Sequence, residues 1–150
     1  MSVGRLCARE VDLAEVDENV WAVAERMHGR GVGSLVIVND AQQPIGMLTD
    51  RDLVQRVLAQ RLDSNSATVG DVMTPAPKTI CEDDSIEAAL SLMRSGCFRR
   101  LPVVDRDGKL TGILSLDDVL ILLAEEFGQI GELLRRETPR GVAERMAGAR

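Results

Sequence analysis

The sequence predicts a mixed α/β (α+β) fold in which two copies of one β-α-β-β-α unit pack with pseudo-twofold symmetry. The chain has 150 residues and is 45% hydrophobic, which is enough to bury a sizeable core. Shifting the sequence against itself by 66 positions aligns residues 3 to 53 with residues 69 to 119 without a gap. In both copies, a segment with apolar residues at helical spacing is followed by short apolar runs, and these segments occupy equivalent positions in the alignment.

The alignment contains ten identical residues, where about three are expected by chance. A unit of about 60 residues is marginally stable alone, so we expect the copies to bury their apolar faces on each other. The identities are Val3, Gly4, Asp17, Ala22, Met27, Leu35, Val38, Gly46, Leu48 and Asp52.

The first helix of each copy is predicted by apolar residues spaced i, i+3, i+4 and i+7. A start signal precedes each helix, Asn19 or its neighbours in the first copy and Asp84-Ser-Ile-Glu87 in the second, because these side chains can cap backbone N–H groups. The stripes are Val20, Val23, Ala24 and Met27 in the first copy, and Ile86, Ala89, Leu90 and Met93 in the second.

Each helix is followed by a short apolar run, a polar turn, a second short run and another helix, which is typical of a hairpin leading into a helix. The strands are predicted over 35–38 and 45–48 in the first copy and over 101–104 and 110–114 in the second. Asp63-Ser-Asn-Ser66 indicates a linker. The predicted organisation is a first repeat at 1–60, a linker at 61–68, a second repeat at 69–125 and a C-terminal segment at 126–150.

Composition excludes several classes of protein. The net charge of −6 argues against a nucleic-acid binder, which needs a basic face. No apolar run approaches the roughly 20 residues that span a bilayer, and the start lacks a leader pattern. Three cysteines without a C-x-x-C pair favour a reducing, cytoplasmic compartment and thiols buried in the core.

A short motif occurs once in each copy, as Gly46-Met-Leu-Thr49-Asp-Arg-Asp52 and Gly112-Ile-Leu-Ser115-Leu-Asp-Asp118. The strand glycine lets a ligand or another backbone approach closely. Thr49 or Ser115 then caps a helix whose free N–H groups favour a phosphate. Asp52 or Asp118 in the first turn can accept hydrogen bonds from two ribose hydroxyls.

The same spacing has a purely structural interpretation. The pattern [ST]-x-x-[DE] is also that of a capping box, in which Asp52 would bond back to the backbone of Thr49. Capping boxes usually carry Glu or Gln at that position. The repeated choice of Asp after a strand glycine therefore favours a ligand role, and both roles can alternate.

The chain resembles a tandem pair of cystathionine-β-synthase (CBS) domains, a Bateman module, over residues 3 to about 124. The two motifs carry the resemblance, together with Arg99-Arg-Leu-Pro-Val-Val-Asp105 and Val69-Gly-Asp-Val-Met-Thr74. It implies clefts between the repeats that bind adenosyl ligands: AMP, ADP, ATP or S-adenosylmethionine. It also implies a homodimer in which four repeats form a disk.

The resemblance extends the candidate site beyond the motifs. Thr79, Ile80 and Pro102 would line the base pocket of the second repeat, whereas the first repeat has Leu13, Ala14 and Val36 there and lacks the threonine hydroxyl. Arg51 lies inside the first motif only, and Arg99 and Arg100 replace Gly33 and Ser34. Either arginine of that pair could hold phosphate, and a solvated surface position is the alternative. The two clefts are expected to differ.

These features predict a stand-alone regulatory module that requires no cofactor and acts on a regulated protein whose identity the sequence does not indicate. The alternative is a ligand-free scaffold that dimerises or docks to a partner enzyme. We do not expect an enzyme, because one histidine, His28, and unpaired cysteines assemble neither a nucleophile with its base nor a metal site. Phe127, Ile130, Leu133 and Leu134 predict either a docking helix or a frayed terminus, ending at Thr138-Pro139 before a basic tail.

Overall fold

The computed structural model describes residues 1–96 and 98–137 and confirms the mixed α/β fold with two repeats. In the first repeat, a single 3-10 turn over Val3–Arg5 comes first. It is followed by strand β1 (Leu13–Ala14), helix α1 (Val20–Arg30), strands β2 (Ser34–Val38) and β3 (Pro44–Thr49), helix α2 (Asp50–Asp52) and a π-helix (Leu53–Leu58).

The second repeat follows the same order, with one additional short strand after its first helix and no π-helix among its described residues. Its elements are helix α3 (Val69–Val72), the additional strand β4 (Thr74–Pro75), strand β5 (Ile80–Cys81), helix α4 (Ile86–Gly96), strands β6 (Arg100–Val104) and β7 (Leu110–Ser115), and helix α5 (Leu116–Glu137).

Helix α1 begins where the sequence predicts it. The side chain of Asn19 accepts hydrogen bonds from the backbone N–H groups of Trp21 and Ala22, at 2.9 and 3.3 Å. Gly31 ends the helix in the left-handed conformation, with φ of 65°. In the second repeat, Ser85 accepts from the N–H of Ala88 at 3.2 Å, so Ser85 provides the equivalent cap.

The sheet of each repeat has equivalent register. β1 runs parallel to β2, and β2 runs antiparallel to β3, with Leu13 opposite Val36 and Val36 opposite Met47. In the second sheet, Ile80 lies opposite Val103, and Val103 opposite Gly112. Because side chains alternate across a strand, each sheet has one face toward its own helices and one face away from them.

The helix-facing side of the first sheet forms a compact apolar core. Leu35, Ile37 and Leu48 pack there with Val23 and Met27 of α1, and all are buried. The core also includes Ala67, Val69 and Val72, which belong to the linker and the second repeat. The first repeat therefore does not close its core alone.

The repeats exchange their entry segments. The N–H groups of Val69 and Gly70 donate to the carbonyl oxygens of Glu18 and Val16 in the first repeat, both at 2.8 Å. In the same way, the N–H groups of Val3 and Gly4 donate to Asp84 and Glu82 in the second repeat, both at 2.8 Å. The two sets of hydrogen bonds are related by the 66-residue offset. The sequence predicts that the copies bury surface on each other, and the exchange of entry segments is one way in which they do so.

The exchange also explains the two strand glycines. Gly46 lies opposite Pro75 of β4, and a side chain on Gly46 would collide with the sulfur of Met73. A Cβ on Gly112 would lie 2.7 Å from the carbonyl oxygen of Ala8. The close approach that the sequence predicts is thus made by the entry segment of the other repeat.

Two regions differ from the sequence prediction in detail. The helix after the first motif becomes a π-helix, in which the N–H of Ala59 donates to the carbonyl of Val54, five residues earlier, at 2.9 Å. Helix α5 runs without a break across residue 125. Its continuation to Glu137 confirms a helix in the predicted docking segment, and the Thr138-Pro139 break, the basic tail and Cys97 lie outside the described residues.

The methionines and cysteines behave mainly as core residues. Met27, Met47 and Met93 are buried, as the sequence predicts. Cys7 is buried and Cys81 half-buried, and neither forms a disulfide.

Candidate functional site

Thr49 and Asp52 form a complete capping box at the start of α2. The N–H of Thr49 donates to Oδ2 of Asp52 at 2.9 Å, and the N–H of Asp52 donates to Oγ1 of Thr49 at 3.2 Å. The side chain of Asp52 is 14% exposed. The structure therefore shows the capping role of this carboxylate directly.

Arg56 occupies the other oxygen of the same carboxylate. Its Nη2 lies 3.3 Å from Oδ1 of Asp52 and donates to Oγ1 of Thr74 at 3.0 Å, while Nη1 donates to the carbonyl of Val72 at 2.7 Å. Arg56 thus ties the motif of the first repeat to the entry segment of the second. The prediction missed Arg56, although its i, i+4 spacing from Asp52 is a known signal for an ion pair.

A second capping box weakens one sequence argument. Thr68 and Asp71 form it at the start of α3, outside the repeated motif, with both the N–H and the hydroxyl of Thr68 donating to Oδ2 of Asp71 at 2.9 Å. These bonds lower the pKa of the Asp71 carboxyl below its ordinary value. Asp in such a box is therefore not by itself a sign of ligand binding.

Arg100 is the predicted arginine that reaches the first motif. Its Nη2 lies 3.4 Å from the position that a Cβ on Gly33 would occupy, and Oδ2 of Asp50 lies 3.3 Å from that position. Since Arg100 begins β6, the second repeat places a cation beside the helix start of the first. Arg51 and Arg99 are exposed.

The entry segment beside β3 contains an unusual backbone conformation. Ala76 has φ of 46°, and its N–H donates to the carbonyl of Ile45 at 3.0 Å. A non-glycine residue in this region costs roughly 1 to 3 kcal/mol, and such residues cluster at ligand clamps. No pattern in the sequence indicates this feature, because alanine is not a residue that prefers positive φ.

The side chains of the predicted base-pocket residues of the second repeat lie on two different faces of the sheet. Pro102 is buried in β6, and the parallel register of β5 with β6 places Thr79 beside it on the same face as Arg100. Ile80 is 6% exposed, and its side chain lies on the opposite, helix-facing side. Only the backbone of Ile80 can face a ligand shared with Thr79 and Pro102.

The first repeat presents a different surface at the same place. Leu13 is 40% exposed, whereas its cross-strand neighbour Val36 is fully buried and Ala14 is 5% exposed. No hydroxyl takes the place of Thr79 there. The two predicted base pockets are thus chemically unequal, as the sequence indicates.

The residues of the second motif belong to two elements, strand β7 and helix α5. Ser115 is the last residue of β7 and lies opposite Arg100 in the register of the sheet. Asp117 and Asp118 lie in the first turn of α5, and Asp118 is half-buried.

A cleft of about 790 Å³ lies in the first repeat, beside Leu13 and Ala14 of β1. It is lined by Val38 and Asn39 at the carboxyl end of β2, whereas Thr49 lies opposite Ser34 at the amino end. Glu18 and Arg26, an ion pair at 2.7 Å, form another wall. This cleft shares Leu13 and Ala14 with the predicted base pocket of the first repeat, but its lining does not include the motif residues Thr49 and Asp52.

Within residues 1–96 and 98–137, no three His, Cys, Asp or Glu side chains are grouped so that they could hold a metal ion. Over the same residues, no helix has the length and apolar character needed to cross a bilayer.

Comparison with protein families gives a match to the CBS domain model twice, at residues 3–59 and 69–125. Together these matches cover most of the chain and follow the two repeats.

Two curated relatives are bacterial or archaeal proteins. The chain is 38% identical over 120 residues to an uncharacterized protein of Methanopyrus kandleri, covering 80% of this chain but only 61% of that protein. It is 37% identical over 115 residues to the uncharacterized protein YlbB of Bacillus subtilis, covering 76% of each. The chain thus spans less than two thirds of the Methanopyrus relative.

Among solved structures, CBSX2 in complex with AMP matches with a TM-score of 0.71 at 28% identity, covering 83% of this chain and 97% of that one.

Proposed function

The chain belongs to the CBS domain family, and on that premise we propose that it is a stand-alone regulatory module that binds an adenosyl ligand in clefts between its two repeats. The ligand class is AMP, ADP, ATP or S-adenosylmethionine, and no chemistry is performed on it. The AMP complex of CBSX2 supports this class of ligand. We also propose that the module acts in the cytoplasm.

The observation that carries the proposal is the convergence of both repeats at the start of α2. Thr49 and Asp52 come from the first repeat, and Arg100 and Thr74 come from the second. A carboxylate that accepts from ribose hydroxyls and a guanidinium that pairs with phosphate are the groups that a nucleotide monophosphate requires. A ligand there contacts both repeats at once.

Ligand binding at this place would compete with contacts that Asp52 already makes. Both oxygens of Asp52 are already engaged, by Thr49 and by Arg56. Hydrogen bonds from ribose must share or replace these partners, and Arg56 also holds the entry segment of the second repeat. Occupancy of the cleft would thereby change the relative population of two arrangements of the repeats.

The second cleft would use Ser115 and Asp118 near the sugar and phosphate, and Thr79 and Pro102 would contact the adenine base. Because the first cleft has Leu13 and Val36 instead of the last two, we propose unequal affinities. Micromolar to millimolar dissociation constants, about −8 to −4 kcal/mol, suit the sensing of abundant nucleotides.

We further propose a homodimer in which four CBS repeats form a disk. Apolar side chains on the helices of the first repeat support a covered surface, since Trp21, Val54 and Leu58 are each more than half exposed. A regulated partner protein remains part of the proposal, with no chemistry assigned to it.

A ligand-free scaffold is the second candidate, and the complete capping box of Asp52 favours it. Titration calorimetry and thermal shift with AMP, ATP and S-adenosylmethionine separate the two. We expect binding heat and a higher melting temperature with at least one compound. If neither binding heat nor a thermal shift is seen at millimolar ligand, the ligand-free scaffold is the remaining candidate.

Asp118→Ala and Asp52→Ala assign the two clefts. Each substitution is expected to remove one binding site and leave the other, because each cleft uses one motif carboxylate. Two unchanged sites in both variants would refute the residue assignment.

A further inference from the structure

Arg56 contacts the motif carboxylate and the second repeat with one guanidinium. Its Nη2 lies 3.3 Å from Oδ1 of Asp52 and also donates to Oγ1 of Thr74 at 3.0 Å. Its Nη1 donates to the carbonyl of Val72 at 2.7 Å. The backbone bond from Thr49 uses the other carboxylate oxygen, Oδ2. Arg56 therefore occupies the oxygen that the capping bond leaves for a ribose hydroxyl.

The contact of Arg56 with the carboxylate is weaker than its contacts with the second repeat. The distance of 3.3 Å to Asp52 exceeds the 2.7 to 2.9 Å that is usual, roughly, for a charge-assisted hydrogen bond. The bond to the carbonyl of Val72 is 2.7 Å long. A ligand that binds the carboxylate can therefore displace Arg56 from Asp52 while Arg56 keeps its partners in the second repeat.

The segment of the second repeat that holds Arg56 is itself strained. Ala76, two residues after Thr74, has φ of 46°, and its N–H donates to the carbonyl of Ile45 at 3.0 Å. A strained backbone persists only where surrounding contacts hold it, and the bonds from Arg56 to residues 72 and 74 are such contacts. The docked position of this segment and the position of the Arg56 guanidinium therefore stabilise each other.

This arrangement is specific to the first repeat. Arg56 lies in the π-helix Leu53–Leu58, and π-helical turns are rare and occur frequently at functional sites. The position 66 residues later is Leu122, in helix α5, which is α-helical over its whole described length. A leucine side chain has no donor for a carboxylate. The second motif therefore has no equivalent of Arg56 at this position.

We propose that Arg56 is a positioning residue that opposes ligand binding at the first motif, and that the second repeat controls it by holding the guanidinium against Asp52. The inference rests on the proposed function and adds the regulation of that site. A ligand whose ribose binds Asp52 must displace Arg56 from Oδ1, so the ligand and the docked entry segment weaken each other. Because coupling between two sites is reciprocal, a change that draws the entry segment away from Arg56 raises the affinity for the ligand.

The test compares Arg56→Met with Arg9→Met in the full chain by calorimetric titration with AMP. Arg9 is a matched control, because its guanidinium also joins an entry segment to the other repeat. It donates to the carbonyl of Gly4 at 2.7 Å, to Oε2 of Glu82 at 2.8 Å and to the carbonyl of Thr111 at 3.2 Å. These three partners lie outside the two motifs. Both substitutions thus remove a tie between the repeats, but only Arg56→Met frees a motif carboxylate.

We expect Arg56→Met to lower the AMP dissociation constant of one site about fivefold and Arg9→Met to change it by less than about twofold. A residue that only stabilises the fold would not raise the affinity when it is removed. In an Asp52→Ala background, Arg56→Met should leave the remaining AMP binding unchanged, because the competition acts through that carboxylate. Arg56→Gln, which also lacks the charge, should give a gain in the same direction and replaces Arg56→Met if the methionine variant does not fold.

Three results would overturn the inference. Unchanged or weaker AMP binding by Arg56→Met would show that Arg56 does not compete with the ligand. An equal gain in Arg9→Met would assign the effect to general loosening of the repeats, and a gain that persists in the Asp52→Ala background would place it at another residue. A wild type that binds no AMP contradicts the proposed function as well, whereas a wild type that binds AMP and an Arg56→Met variant that binds it equally remove this inference alone.

Discussion

The two repeats have the same backbone arrangement, but each contacts the entry segment of the other through different side chains and backbone groups. Each receives the entry segment of the other, and a sulfur-containing side chain covers both strand glycines, Met73 at Gly46 and Cys7 at Gly112. At Gly112 the backbone carbonyl of Ala8 approaches as well, whereas the three nearest atoms at Gly46 all belong to the Met73 side chain. Arg56 ties the first motif to the exchanged segment, whereas the position 66 residues later is Leu122. A duplicated fold can thus hold two clefts whose occupancy has different consequences.

The hairpin turns show the same contrast at smaller scale. Gln42 and Gly108 occupy equivalent positions and both have positive φ, 63° and 79°. The N–H of Leu110 donates to the carbonyl of Gln42 at 2.8 Å. Its symmetric counterpart cannot form, because the residue equivalent to Leu110 is Pro44, which has no N–H.

The largest expected effect separates the two strand glycines. Gly112→Ala should lower the free energy of unfolding by about 3 kcal/mol, because the carbonyl of Ala8 cannot move without disturbing the hydrogen bond that it accepts from the N–H of Ile113. Gly46→Ala should cost only about 1 kcal/mol, since the Met73 side chain can turn away. Urea denaturation of both variants measures the difference, and equal losses would contradict the asymmetry.

Arg56→Met tests the tie found only in the first repeat. The substitution keeps most of the side-chain volume and removes bonds to Asp52, Val72 and Thr74, so we expect a loss of about 1 to 2 kcal/mol, moderated by partial exposure. Leu122→Met, the control at the equivalent position, should cost less than about 1 kcal/mol. Denaturation midpoints that shift equally would show that Arg56 does not hold the repeats together.

The turn positions predict a smaller, opposite pair of effects. Gly108→Ala should cost about 1 kcal/mol, because a Cβ disfavours positive φ. Gln42→Gly should relieve the same strain and gain up to about 0.5 kcal/mol after the entropy cost of glycine. Thermal unfolding measures both, and stabilisation by Gly108→Ala would refute the explanation.

The smallest expected effect is a pH dependence at the second repeat. Hydrogen bonds from Thr68 lower the pKa of Asp71, so its contribution to stability is present above the ordinary carboxyl pKa of about 4 and is lost as the pH falls through the lowered value. Asp71→Asn should therefore flatten the fall in stability as the pH drops below about 4. Denaturation at several pH values measures the slope, and an unchanged slope would contradict the assignment.

Much of the fold could be predicted because the duplicated apolar pattern fixes helix and strand order twice. Asn19 and Thr49 show their capping role in local sequence, and the structure confirms both. The exchange of entry segments was not predictable in detail, since each pairing joins residues far apart in sequence. The π-helix after Asp52 follows tertiary contacts, which local propensity does not contain.

The residues of the candidate site also fall into two groups, those that local sequence indicates and those that depend on tertiary contacts. Spacing alone could find Thr49 and Asp52, because both belong to one turn of chain. Arg56 lies four residues after Asp52, so local spacing indicates that pair, whereas Thr74 and Ala76 reach this place only through the exchange of entry segments. The ligand role of the motif residues stays a prediction.

One measurement tests the central claim most directly: calorimetric titration of AMP into Asp52→Ala and Asp71→Ala. Each variant removes the carboxylate of one capping box and should be slightly less stable than the wild type. We predict that Asp52→Ala loses one AMP site relative to the wild type, while Asp71→Ala binds AMP with unchanged stoichiometry. If Asp52→Ala binds as the wild type does, Asp52 is a helix cap only and the proposed nucleotide cleft is not at this motif.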